Sequence, residues 1–215
     1  MKLSENTLSI LKNFSGINQG LLFQEGNEIK TISPQKTVMA SATVEDHIPG
    51  KAAVYDLARF LSTLSLFENP EVKFGESNFT IQDGRRKVNY TYASETMIVS
   101  PPNKEIRLPS VDVEFNLTWN DLQNVIRAAG ILQVSDIEFS CKDGSIVMSA
   151  TDVNNPTSDR YDIEVTSHDG DDFRMSIKVD NLKLVPEDYQ VALSSAGMSH
   201  FKSPKVEYWI AVQSN

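Results

Sequence analysis

Downstream of Ser4 the apolar residues Leu8, Leu11, Phe14 and Ile17 recur at every third position, with Leu3 and Ile10 widening the stripe. This period predicts an amphipathic helix, and Ser4 is placed to cap its free backbone N–H groups. Gly16 and Gly20 bracket its end. The pattern then turns strand-like at 21–24, 28–32 and 38–44, and Glu25-Gly26-Asn27 predicts a hairpin between the first two runs. Asp56 opens a second helix with Leu57, Phe60, Leu61 and Leu64 on its core face, ended by Asn69-Pro70. Strands are predicted at 71–75, 78–82 and 87–92, the last alternating and rich in β-formers.

Thr118-Trp119-Asn120-Asp121 matches the Ser/Thr-x-x-acid capping pattern and starts a third helix, with Leu122, Val125, Ile126 and Ala129 facing inward. Strands follow at 136–142, 145–151 and 161–166. Lys142-Asp143-Gly144-Ser145 predicts a tight hairpin, because Asp-Gly accepts positive φ. A fourth unit reads as a strand at 173–179, one or two helical turns from Asp180 stopped by Pro186, then strands at 188–194, 198–202 and 206–212. Helix starts thus recur every 50 to 65 residues or so, each followed by short strands, and that is the regime of internal repeats. One such repeat cannot bury its own apolar helix face, so the copies must pack side by side. The expected class is α+β, with two similar domains at 1–93 and 110–215. Each holds two helix-plus-antiparallel-strand units, helices on one side and sheets on the other.

Residues 94–109 break the pattern and form the inter-domain connector. Pro101, Pro102 and Pro109 favour an extended chain. Ile98, Val99, Ile106 and Leu108 make it more apolar than a linker requires, so it is expected to rest on something or to offer a docking surface.

The 215-residue chain has a formal charge of −9, which at first sight opposes a nucleic-acid partner. The distribution changes that view. Residues 1–93 carry 10 Lys/Arg and 10 Asp/Glu, whereas residues 109–215 carry 8 and 17. A neutral half and an acidic half suit head-to-tail contact between copies, which can close into a ring; a solvated acidic surface is the plainer alternative. Arg85-Arg86-Lys87 opens a predicted edge strand in the neutral half, and Asp159, Asp162 and Glu164 flank or occupy a strand in the acidic half. Pairing those edges between subunits would remove both from solvent. The single Cys141 excludes an internal disulfide and fits a reducing cytoplasm. No run of about 18 apolar residues is present, so no membrane span is expected. The start of the chain lacks the pattern of a secretory signal.

Catalytic signatures do not appear: no Gly-rich phosphate loop, no nucleophile elbow, no paired metal motif. Asp171-Asp172 and His47 beside Asp46 are weak candidates for a metal or an acid/base pair, and Cys141 reads as a small buried strand residue. No cofactor and no catalytic activity are expected, and the chain reads as a binding scaffold. Lys2, Lys12, Arg59, Arg127 and Lys183 all fall on or beside the predicted helices, off their core stripes. Gathered on one face, they would meet phosphates without reading bases.

Taken in order, the start through Asn13-Phe14, Tyr55-Asp56-Leu57 with Phe60-Leu61 and Leu64-Ser65-Leu66, Pro102-Asn103-Lys104, and the stretch from Asn181 to Tyr189 resemble the DNA polymerase sliding clamps of T-even-type bacteriophages. Ser140-Cys141-Lys142-Asp143-Gly144 with Ser149-Ala150 is also similar to the eukaryotic clamp, proliferating cell nuclear antigen. The resemblance spans the whole chain. It implies a sliding-clamp fold and a homotrimeric ring with helices inside and sheets outside. It implies duplex DNA threaded through the hole, an ATP-driven clamp loader, and a polymerase tethered by its C-terminal peptide, all in the cytoplasm of an infected bacterium. It also implies an apolar peptide slot built by Ile106, Leu108, Trp209 and Ala211. The chain stops soon after its last strand, which leaves contacts of a longer tail open, and a role in late transcription is open too. The alternatives are a phage ring or shell assembly protein that does not bind DNA, and a metal-dependent enzyme using the acidic loops.

Overall fold

The computed structural model describes residues 1–102, 104, 106–142 and 144–214. The chain divides into two compact units, 1–104 and 105–215. Asn103 of the Pro102-Asn103-Lys104 motif and Asp143 of the expected Asp-Gly turn lie outside the described residues.

In the first unit helix α1 (Glu5–Ile17) begins at Ser4, whose Oγ accepts the Thr7 N–H at 3.2 Å. Thr7, Ile10, Leu11, Phe14 and Ile17 form its buried face. Strands β1 (Leu21–Phe23), β2 (Gly26–Ile32), β3 (Val38–Ile48) and β4 (Ala52–Val54) follow. The expected 21–24/28–32 hairpin is not formed. β1 pairs with β4, Leu21 opposite Val54, while β2 pairs with β3. Ala52, Ala53 and Val54 are buried throughout, so the short run that sequence pattern passed over is the better partner for Leu21 and Phe23. Helix α2 (Leu57–Leu64) is capped by Asp56, which accepts the Arg59 N–H at 2.8 Å. β5 (Glu71–Phe74), β6 (Asn78–Asp83) and β7 (Arg86–Thr91) then pair in sequence order. The Phe79 side chain is fully buried amid Phe23, Phe60, Phe74, Tyr90 and Tyr92, with ring centroids 4.6 to 6.4 Å away.

The second unit opens with β8 (Val113–Leu117), whose alternating burial is a period-2 signal missed in the sequence reading. Helix α3 (Trp119–Leu132) is capped by Thr118, which accepts the Asp121 N–H at 3.1 Å. Its buried Leu122, Val125 and Ala129 face β9 (Asp136–Lys142), β10 (Ser145–Thr151) and β11 (Tyr161–Ser167). With β12 (Phe173–Lys178) and β16 (Gln213–Ser214) these strands run in the order β11-β10-β9-β12-β16. β13 (Tyr189–Ser194), β14 (Met198–Lys202) and β15 (Val206–Ala211) form an antiparallel meander, with β8 paired to β13.

The fourth expected helix is a single 3-10 turn, Val179–Asn181, and the chain from Leu182 onward is not helical. Pro186 biases the residue before it away from the α region. Two buried tyrosines then take up the backbone groups a helix would use. The Tyr189 hydroxyl donates to the Val185 carbonyl at 2.7 Å, and the Val185 N–H donates to the Tyr208 hydroxyl at 3.2 Å. Burial pushes both phenols far up from their ordinary range, so both hydroxyls stay neutral at physiological pH.

Candidate functional site

Lys2, Lys12, Arg59, Arg127 and Lys183 are all exposed. Lys2 precedes α1 on an N-terminus that is tied down: the Met1 ammonium donates to the Val72 carbonyl and the Ser4 N–H to Asp46, at 2.8 and 2.7 Å. Burial raises the Asp46 carboxyl, but hydrogen bonds from Thr7 and Ser4 pull it further down, so it stays ionised at neutral pH. Lys12 and Arg59 sit on α1 and α2, which pack against each other. Arg59 also borders an open groove of about 430 Å³ with Tyr55, Tyr90 and Tyr92. On α3 the exposed residues are Asn120, Gln123, Asn124, Arg127, Gly130 and Ile131. That face presents amides and a guanidinium and no carboxylate, a lining that can exchange hydrogen bonds with phosphates and water. Lys183 follows the 3-10 turn and so lies off any α-helix, in contrast to the expectation.

The two candidate contact strands are both sheet edges among the described residues. β7 ends the order β5-β6-β7, and β11 ends the order β11-β10-β9-β12-β16. Their charges are partly engaged within the chain. Arg86 pairs with Asp83 at 3.1 Å and lies over the Phe67 ring at 5.7 Å. Asp162 accepts from Arg160 Nε at 2.7 Å, and Glu164 accepts from Ser145 Oγ at 2.9 Å. Arg160 also donates to Glu138 at 2.9 Å and to Ser149 at 2.6 Å, and Arg174 donates to the second oxygen of Glu138. Glu138 is only 2 % exposed, so this Arg–Glu–Arg network is what makes a buried carboxylate tolerable. Arg86 and Asp162 are thus held in ion pairs of the chain itself, whereas Arg85, Lys87, Asp159 and Glu164 are in none among the described residues.

Ile106 and Leu108 of the connector are half-buried, as are Trp209 and Ala211. Along β15 the residues alternate, with Val206, Tyr208 and Ile210 in the core and Glu207, Trp209 and Ala211 on the other face. Trp209 is therefore not sealed in the core.

Sequence reasoning passed over Asn18, which caps the C-terminal end of α1 and is 6 % exposed. Its side-chain amide donates to the carbonyls of Ile32 and Val99, both at 2.9 Å, and its oxygen accepts the Gly20 N–H at 3.0 Å. Beside it, a Cβ on Gly20 would stand 3.0 Å from the Ile98 side chain. The connector is thus fastened where it leaves the first unit. No local pattern marks this, because the partners lie 14 and 81 residues away. Asn18→Ala leaves the buried Gly20 N–H and two part-buried carbonyls without this partner, at a cost of roughly 1–3 kcal/mol. The expected result is faster amide exchange across residues 98–100 with the rest of α1 still protected; unchanged exchange there would remove Asn18 as the fastening.

Among the described residues no group of three His, Cys, Asp or Glu side chains is arranged to hold a metal ion. Asp46 is occupied by the N-terminal contacts, Asp171 and Asp172 are exposed, and Cys141 is 3 % exposed in the β9 core row.

Comparison with known proteins agrees with this architecture. Residues 2–100 match the family model described as DNA polymerase processivity factor, and residues 114–214 match that of the gp45 sliding clamp, C terminal. The sliding clamp of Vibrio phage KVP40 is 36 % identical over 219 residues, covering 99 % of each chain. That of Escherichia phage RB69 is 36 % identical over 224 residues, covering 100 % of this chain and 98 % of its own. Among solved structures, A. fulgidus PCNA bound to the C-terminal region of FEN-1 superposes with a TM-score of 0.72 at 14 % identity, covering 97 % of this chain and 95 % of its own. At that identity the likeness speaks to the fold, which is that of the sliding clamps. Two family models that together span nearly the whole chain, and full-length relatives at 36 % identity, lead to one assignment: the chain belongs to the phage sliding-clamp family, the DNA polymerase processivity factors.

Proposed function

We propose that the protein works as a homotrimeric ring threaded by duplex DNA, opened and closed by an ATP-driven loader in the cytoplasm of the infected bacterium. On DNA it tethers the phage polymerase through that enzyme's C-terminal peptide and catalyses nothing itself. The observation that carries this reading is the pair of sheet edges without a strand partner among the described residues, β7 opening on Arg86 and Lys87 just after Arg85 and β11 following Asp159. Unlike edges on one chain favour head-to-tail contact, and such contacts close into rings when the rotation permits. The family description supplies the processivity role, and the exposed Lys2, Lys12, Arg59, Arg127 and Lys183 supply a weakly cationic lining on an acidic molecule. A topological link holds DNA without strong phosphate contacts, which would only slow sliding.

The test is retention on nicked circular DNA in the presence of loader and ATP, with release when the circle is cut. A clamp is retained and released in that way. An assembly protein that does not encircle DNA shows neither behaviour, and retention that survives cutting would also defeat the reading.

Two further outcomes follow from the same geometry. Replacing Arg127 or Lys12 by Glu is expected to lower loading and product length in primer extension. Folding free energy should move by less than about 0.5 kcal/mol, since both side chains are exposed. Full activity in both variants would move the DNA path elsewhere. Subunit association is expected to weaken as salt rises, because exposed charge pairs are screened within about 10 Å at 0.1 M salt. Lys87→Glu should lower oligomer mass at low salt, where Arg86→Glu also disturbs the chain's own pair with Asp83. A mass that ignores both salt and Lys87 would exclude charge from ring closure.

A further inference from the structure

β14 and β15 are antiparallel neighbours in a register that sets Met198 opposite Ala211, His200 opposite Trp209 and Lys202 opposite Glu207. These six residues share one half-buried or exposed face, while Ser199, Phe201, Tyr208 and Ile210 are buried on the other. The face is graded along the strands: apolar at Met198 and Ala211, aromatic in the middle, charged at Lys202 and Glu207. In the middle the His200 imidazole lies flat against the Trp209 indole, with centroids 4.8 Å apart and ring planes 10° from parallel.

Cross-strand pairing alone brings Cβ atoms to about 4.5–5.5 Å and leaves the ring planes free. Glu207 supplies the missing restraint. Its carboxylate lies 2.9 Å from His200 Nε2. An ionised carboxylate only accepts, so the imidazole donates through that nitrogen and its ring is oriented by the bond. Glu207 and Trp209 lie two residues apart on one strand, on the same face. The carboxylate therefore holds His200 where it can cover its neighbour. A half-exposed indole would otherwise sample several staggered rotamers; the stack covers one side of it and leaves the remainder of the ring as contact surface.

We propose that His200 is a positioning residue of the partner-peptide slot: held by Glu207, it stacks on Trp209 and fixes the indole in the orientation that receives the apolar anchor of a polymerase C-terminal peptide. The inference rests on the reading of Trp209 as part of that slot. Fixing the ring before binding reduces the ordering cost paid at association. Loss of an aromatic stack of this kind corresponds to a roughly three- to tenfold change in affinity.

The experiment titrates a labelled synthetic peptide, the C-terminal residues of the same phage's polymerase, with full-length protein and its His200→Ala, His200→Phe and Trp209→Ala variants. Trp209 emission is followed in a Trp119→Phe background, where it is the single tryptophan. Expected is a three- to tenfold weaker affinity for His200→Ala, with oligomer mass and thermal midpoint unchanged and Trp209 emission shifted. His200→Phe keeps a flat ring but loses the bond to Glu207, so it should recover affinity and emission in part, falling between His200→Ala and the unaltered protein. Wild-type affinity in His200→Ala, with Trp209→Ala still defective, overturns the positioning role and leaves the slot standing. Wild-type affinity in Trp209→Ala removes the slot and this role with it. Equal losses in both His200 variants with a lowered thermal midpoint would assign His200 to stability alone and overturn the proposal.

Discussion

Phe79→Ala is expected to destabilise the first unit by about 3–5 kcal/mol, the range for truncating a well-packed core aromatic. Phe79 is fully buried, and its strand register sets it opposite Phe74 on one side and Tyr90 on the other. One ring thus spans β5, β6 and β7, and truncation leaves a cavity walled by other rings that cannot easily collapse. The consequence reaches function, because β7 is a candidate subunit edge. Tyr90 packs on Phe79 and also donates to the Asp56 carbonyl at 3.1 Å, tying the edge strand to the cap of α2. Chemical denaturation followed by amide exchange on β5 to β7 is the measurement, with oligomer mass recorded in parallel. The expected order is loss of association before loss of the second unit's protection. A change below about 1 kcal/mol would show that the site collapses and that the ring cluster is not what stiffens the edge.

Trp209→Ala is expected to weaken binding of the polymerase C-terminal peptide by about 2 kcal/mol or more, at least some 30-fold, as buried aromatic anchors do. The fold should survive, since the residues that close the core of β15 are Val206, Tyr208 and Ile210, on the opposite face. In primer extension the variant should load and slide but give short products, since tethering fails while encirclement persists. Normal peptide affinity would shift the slot away from Trp209 and Ala211. Failure of ring assembly would show instead that Trp209 acts in packing. Ile106→Ser and Leu108→Ser probe the connector side of the same slot without touching β15.

The helix caps were legible because they are local. Ser4, Asp56 and Thr118 each bond a backbone N–H three residues ahead, and nothing distant is needed to see that. The same holds for β9, β10 and β14, whose predicted limits coincide with the observed ones, because β-forming runs and the turn residues that bound them are neighbours in sequence. The fourth helix stopped short for a reason only partly local: besides Pro186, Tyr208, 23 residues on, takes up the Val185 N–H from inside the core. The β1–β4 pairing failed similarly. A hairpin signal is local, whereas the partner of Leu21 lies at Val54.

For the candidate surfaces, residue type and helical phase were enough to mark the exposed cations and the outward face of β15, since an amphipathic period separates core from surface without reference to any neighbour. Tertiary structure alone decided which charges were already taken. Arg160 reaches 22 residues back to Glu138, and Arg174 reaches 36. It also decided that Asn18 fastens the connector 81 residues downstream, and that His200 lies against Trp209 and bonds to Glu207. Such contacts depend on strand register and on chain segments meeting across the fold, and register is a property of the pair rather than of either strand. Sequence therefore determined which elements form and which residues face outward; the packed structure determined which of those residues touch, and so which side chains can act together on DNA, on a neighbouring subunit or on a partner peptide.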